Sequence, residues 1–73
     1  MTVNFERIGI KIKEVRKKSG ITQAVLAELV DVGTTHLCRV EIGTKKPSLT
    51  LLIKIAYTLN VSINDLIDGS III

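Results

Sequence analysis

Three residues, Asp31-Val32-Gly33, separate two short stretches that each carry apolar residues at helical spacing. Upstream, Leu26, Ala27 and Val30 share one helix face, and downstream Leu37 and Val40 do the same. A connection this short keeps two helices as spatial neighbours. The residue types tighten the constraint. Ala27 is small where the helices must approach closely, and Val32 is an apolar residue in the turn that can anchor it to a core. The rest of the chain must then supply the surfaces that cover these two faces.

The punctuation of the remaining sequence predicts three more helices. Asn4 can cap a first helix running to about Lys18, with Phe5, Ile8, Ile12 and Val15 as its stripe and Gly20 as its stop. Thr22 caps the second helix. The third runs from about Thr34 to Glu41 and ends at Gly43. Ser48 caps a fourth helix to about Leu59, closed by Asn60. Ser62-Ile63-Asn64-Asp65 resembles a capping box, with Asp in the place of Glu, that opens a short fifth helix. The fold class expected is all-α, a compact five-helix bundle with a helix-turn-helix at helices two and three. Residues 1–68 form the domain, and the apolar tail 69–73 is expected outside the bundle.

A chain of 73 residues makes one domain with a modest core. It offers little room for an enclosed catalytic cavity, so a binding module is expected rather than an enzyme. Hydrophobic residues make up 47% and aromatics 3%, which leaves the packing to Leu, Ile and Val. The single cysteine cannot form a disulfide within the chain and fits a reducing cytosol. No stretch approaches the roughly 18 apolar residues of a membrane span, and the first residues lack the order of a secretory signal. A soluble, cytoplasmic protein is expected.

Charge is distributed unevenly. Between Arg7 and Lys18 there are six basic residues and one acid, Glu14. Arg39, Lys45, Lys46 and Lys54 follow against Glu41, and beyond Lys54 only Asp65 and Asp68 are charged. This distribution fits one face for a polyanion, or else an ordinary solvated surface.

The segment Thr35-His36-Leu37-Cys38-Arg39 holds the only histidine and the only cysteine. With Leu37 facing inward, Val40 and Glu41 flank it on the buried side, and His36 and Cys38 fall about 200° apart. They cannot share a metal or a proton, and the chain has no second His or Cys to help them. Neither a metal nor a cofactor is expected. Cys38 reads as a half-buried small apolar residue, and His36 as either a solvent-edge residue or a phosphate or base contact. Thr34, Thr35 and Arg39 point outward. Hydroxyls and a guanidinium at an exposed helix start suit a groove reader, since Arg can give two parallel hydrogen bonds to guanine and Thr can offer a hydroxyl or a methyl group.

Residues 22–43, TQAVLAELVDVGTTHLCRVEIG, resemble the helix-turn-helix of lambda-repressor-like (Cro/cI-type, XRE) DNA-binding domains. Gln23, Leu26-Ala27, Val32, Leu37, Val40, Glu41 and Gly43 match in spacing, and residues 45–67 match the family's later Pro-Ser-Leu and Val-Ser helices. The resemblance covers about Ile8 to Ile67. It implies double-stranded DNA as partner, with helix 34–41 in the major groove. It implies phosphate binding and bracing by Gln23, base reading at or beside Gly33, Thr34, Thr35 and Arg39, and backbone contacts from Thr44, Lys45 and Lys46. It also implies a salt bridge between Arg16 and Glu41. For Lys45 and Lys46 an ordinary solvated loop is the other reading.

Some positions depart from the family pattern. Asp31 stands where the turn usually has glycine, and Gly33 replaces the usual Ser or Thr cap. Val25 and Leu29 form an apolar strip where the family is usually polar, so exposed apolar surface is expected, covered by the chain ends or by a partner.

The function expected from these features is sequence-specific DNA binding by a small transcriptional regulator, most simply a repressor. An antitoxin or a restriction-modification controller would use the same fold, and a protein-interaction module that has lost DNA binding is a further alternative. A homodimer is expected, through Leu66, Ile67, Ile71 and Ile72. The β-branched tail could pair as a strand with its mate or with Thr2-Val3, or it could fray.

Overall fold

The computed structural model describes the backbone of residues 1–72 and the side chains of residues 1–71. The described chain contains five helices, α1 (Phe5–Lys18), α2 (Gln23–Leu29), α3 (Thr34–Ile42), α4 (Leu49–Leu59) and α5 (Ile63–Ile67). Two short strands, β1 (Thr2–Val3) and β2 (Ile71–Ile72), pair antiparallel, with Thr2 opposite Ile72 and Val3 opposite Ile71.

Four of the five helix starts, those of α1, α2, α4 and α5, follow from a local side-chain bond. Asn4 Oδ1 accepts from the Arg7 N–H, Thr22 Oγ1 from Val25 and Ser48 Oγ from Leu51. Ser62 and Asp65 bond reciprocally, so the capping box expected at α5 is formed. Asp31 adopts the left-handed conformation, with φ 59°. Its φ lies in the region that Asp tolerates better than most residues. Asn60 closes α4 in the same conformation.

Ile8, Ile12, Leu26, Leu37, Ile55 and Leu66 are essentially fully buried and come from all five helices. Burying each such side chain contributes roughly 1.5–3 kcal/mol before the entropy of ordering it is counted. Ala27 is buried as the close helix approach requires, and Val32 packs from the turn against the core.

Gly9 marks a close approach of α1 to the end of α3. A Cβ at this position of α1 would sit 2.5 Å from the Val40 carbonyl oxygen and closer still to that of Glu41. The absence of a side chain lets α1 lie against the backbone at the end of α3.

Two expectations for the C-terminus are corrected. The tail does not lie outside the bundle: Ser70 is fully buried, and its carbonyl accepts from the Asn4 N–H at 2.6 Å. Of the pairings open to the tail, the one formed is with Thr2-Val3. Leu66 was expected in a dimer interface, yet it is wholly buried in its own chain. Its side chain fills the space between α5 and its neighbours and leaves no surface for a second molecule. Ile67 is half-buried and Ile71 exposed. The side chain of Ile72, and Ile73 entirely, lie outside the described residues.

Candidate nucleic-acid interface

The orientation of α3 is fixed from beneath by one buried carboxylate. Glu41, on the inner side of α3, is 4% exposed. Its Oε2 accepts from Arg16 Nε at 2.7 Å, and its Oε1 accepts from Arg16 Nη2 at 3.1 Å and from Gln23 Nε2 at 2.9 Å. Arg16 Nη1 donates to the Ile21 carbonyl at 2.9 Å. Arginine's planar fork suits this bidentate geometry. Among the described residues, no buried side-chain polar atom lacks a partner. The network ties α1, the segment before α2, the start of α2, and α3 together.

This arrangement separates two groups of basic residues that the sequence lists side by side. Arg16 is buried with Glu41 and contributes nothing to an outer basic face. Arg7, Lys13, Lys17 and Lys18 on α1 are exposed, as are Arg39, Lys45, Lys46 and Lys54.

Above the network, α3 presents its outer side. Thr34, Thr35 and Arg39 are exposed, and Thr35 and Arg39 lie one helical turn apart. His36 and Cys38 are half-buried, as their opposite flanks required. Gly33 occupies the N-cap with extended backbone and gives no side-chain cap bond. The N–H groups of the first turn have no partner within a helix, so they face outward at this end. Ile42 is exposed on the outer side as well.

The loop after α3 is organised by a backbone atom. The Arg39 carbonyl accepts from the N–H groups of Gly43, Thr44 and Lys45 at 3.0, 3.0 and 3.3 Å, and from Thr44 Oγ1 at 3.4 Å. Gly43 makes this possible with φ 92°, a conformation that costs a glycine little. The loop therefore folds back over the last turn of α3, with Thr44, Lys45 and Lys46 exposed.

Of the residues expected to read bases or hold phosphate, Thr34, Thr35, His36 and Arg39 lie on α3, Gly33 caps it, Thr44, Lys45 and Lys46 lie in the loop bonded to it, and Gln23 lies apart on α2. Gln23 is half-buried, with its amide nitrogen bonded to Glu41, and it stands at the first position of α2. The bracing role is visible in that bond.

Val25 and Leu29 are 43% and 60% exposed on α2, as their positions implied. A second apolar stripe runs along α4. Leu49, Ile53 and Tyr57 recur at four-residue spacing on the outer side of α4 and are 67%, 49% and 88% exposed. Their spacing was available in the sequence, but α4 is apolar on so much of its circumference that the buried and exposed sides could not be told apart.

No described helix is long and apolar enough to cross a membrane.

Comparison with known proteins identifies this arrangement. The helix-turn-helix family model HTH_3 matches residues 12–66. An uncharacterized HTH-type transcriptional regulator of Archaeoglobus fulgidus is 43% identical over 56 residues, covering 77% of this chain and 80% of that protein. The HTH-type transcriptional regulator SinR of Bacillus subtilis is 36% identical over 62 residues, which cover 84% of this chain and 56% of SinR. The chain thus spans only about half the length of SinR, and 43% of the related regulator ImmR is matched. A crystal structure of SinR in complex with DNA superposes with a TM-score of 0.79 at 35% identity, covering 84% of this chain and 98% of that one. The buried brace, the exposed helix start and the folded-back loop described above lie within the matched region, and the chain belongs to the HTH_3 helix-turn-helix family.

Proposed function

We propose that this chain is a sequence-specific binder of double-stranded DNA that acts as a transcriptional regulator, with α3 entering the major groove. One observation carries the reading. Thr34, Thr35 and Arg39 are exposed on a helix that is locked from below by Glu41 and joined through the Arg39 carbonyl to the Lys45-Lys46 loop. A reader held rigidly beside a cationic anchor is what groove recognition requires, since phosphate contacts fix the register in which base contacts discriminate.

In this reading Thr34, Thr35, His36 and Arg39 face base edges. Gln23, Gly33, Thr44, Lys45 and Lys46 face phosphates, Gln23 and Gly33 through the N–H groups at helix starts. Recognition proceeds without a chemical step.

The acting species is a homodimer. Two copies related by a two-fold axis double the number of contacts and match half-sites about one helical turn apart. With Leu66 in the core, the apolar surface at the C-terminal end is supplied by Ile67 and Ile71.

The test is fluorescence anisotropy with duplex taken from just upstream of the protein's own coding region, beside random duplex, over a salt series. Salt-sensitive binding that prefers the upstream sequence is expected of a regulator of its own gene. Equal binding to both duplexes would place the operator elsewhere, and no binding at low salt would overturn the reading.

A further inference from the structure

Lys46 meets an aromatic ring from the opposite end of the chain. Its Nζ lies 5.4 Å from the centroid of the Phe5 ring, in the first turn of α1. An ammonium within about 6 Å of a ring centroid is attracted by the negative face of the ring. Among the described residues no carboxylate pairs with Lys46. The ring face is thus the partner that the described residues offer this exposed ammonium.

Phe5 is itself held. It is half-buried and packs against the hydrophobic core. The turn that carries it is capped by Asn4, whose own N–H is bonded to Ser70 and whose neighbour Val3 pairs with Ile71. The same stretch of α1 touches the end of α3. Gly9 lies against the Val40 and Glu41 carbonyls, and the Glu6 backbone crowds Gly43. The ring thus belongs to the same rigid unit as the recognition helix.

A lysine free to sample its rotamers must be ordered when it binds, and that ordering opposes association. A ring that restrains the ammonium beforehand removes part of the penalty. The ammonium carries three donors, so contact with one ring face leaves others for phosphate.

We infer that Phe5 is a positioning residue for DNA binding, its ring holding the Lys46 ammonium at the phosphate-facing loop before a duplex arrives. The inference rests on the DNA-binding reading above.

The test uses the full chain and a short duplex of random sequence, because phosphate contact does not depend on sequence. Affinity is measured across a salt series for wild type, Phe5→Leu, Phe5→Tyr, Lys46→Ala and the Phe5→Leu/Lys46→Ala double variant. Leu keeps apolar bulk without a π face, and Tyr keeps the face. Phe5→Leu is expected to bind about two- to five-fold more weakly, a part of the cost of ordering one long side chain on binding. Phe5→Tyr should bind like wild type. Lys46→Ala should lower the salt slope by about 0.9, and adding Phe5→Leu to it should change nothing further. In the free wild-type protein, the ring current should move the Lys46 ε-methylene NMR resonance upfield of that of Lys45. This reading needs no variant to fold.

Equal losses from Phe5→Leu with and without Lys46 would overturn the role of Phe5 and leave the DNA-binding reading standing. So would wild-type affinity in Phe5→Leu, or equal resonances for the two lysines. A wild type that binds no duplex at low salt would overturn both.

Discussion

The Thr44 N–H lies 3.0 Å from the main-chain carbonyl oxygen of Arg39, and this bond joins the exposed face of α3 to the loop that follows it. Side chain and carbonyl of one residue thereby serve different ends. The guanidinium is exposed to solvent, while the backbone fixes the loop that carries Lys45 and Lys46. The two kinds of contact remain separable by mutation, because truncating either side chain leaves the shared backbone bond intact.

Arg39→Ala should therefore act on discrimination. The expected loss is roughly 1–3 kcal/mol on the preferred sequence, with relaxed selectivity at one base position. Anisotropy on a set of duplexes, each with one base pair changed, measures both. An equal loss on preferred and random DNA would contradict the assignment.

Lys45→Ala should act on attachment. Binding weakens on every sequence by a similar factor, and the slope of log affinity against log salt falls by about one unit. The check is the slope itself, compared between preferred and random duplex.

The Arg16–Glu41 pair makes a stability prediction with a built-in control. Removing one partner of a buried ion pair costs about 3–5 kcal/mol, because the remaining charge is left buried without compensation. A core this small rarely supplies more than about 3–5 kcal/mol. Glu41→Ala should thus leave much of the chain unfolded at room temperature by circular dichroism in a urea series. Replacing both residues, as in Arg16→Met with Glu41→Leu, should recover most of the loss.

Gly9 and Gly33 should respond to a side chain in opposite ways. Alanine is the better helix former by about 0.5–1 kcal/mol, yet Gly9→Ala places its methyl against the Val40 and Glu41 carbonyls. Overpacking of this kind costs typically 1–3 kcal/mol, so the net effect is destabilising. At Gly33 a Cβ meets nothing within 4 Å. Gly33→Ser adds a capping hydroxyl and should stabilise by a few tenths of a kcal/mol. Denaturant midpoints of the two variants are expected on either side of that of the wild type.

Deleting residues 70–73 should lower the melting temperature, since it removes β2, the buried Ser70 and the acceptor of the Asn4 N–H. Hydrogen exchange should quicken first at the start of α1. Mass in solution, measured on the same sample, reports whether the tail also contributes to a dimer.

The helices were legible in the sequence because each is announced by short-range chemistry. Asn4, Thr22, Ser48 and Ser62 cap the helices they were expected to cap, and Gly20, Gly43 and Asn60 adopt the left-handed conformation at helix ends. The outward side of α3 and the inward Glu41 followed from helical spacing around Leu37. Besides the exposed stripe of α4, the features that sequence did not reveal are contacts between distant segments. Nothing local at Gly9 announces a carbonyl from α3, and Phe5 lies 41 positions from Lys46. Leu66 was misplaced for a related reason. An apolar residue near a chain end reads equally as core or interface until the packing partner is known.

The pairing of Thr2 with Ile72 leaves the two extremities of the described chain side by side, at the spacing of roughly 4.7–4.9 Å between neighbouring strands. A backbone that nearly closes on itself is suited to circular permutation. A few flexible residues could join the strands, and the ring could be reopened at the exposed Asn60 between α4 and α5. Such a permutant would keep the brace and α3 on one uninterrupted segment, and would free the start of α5 as a new point of attachment for another protein module.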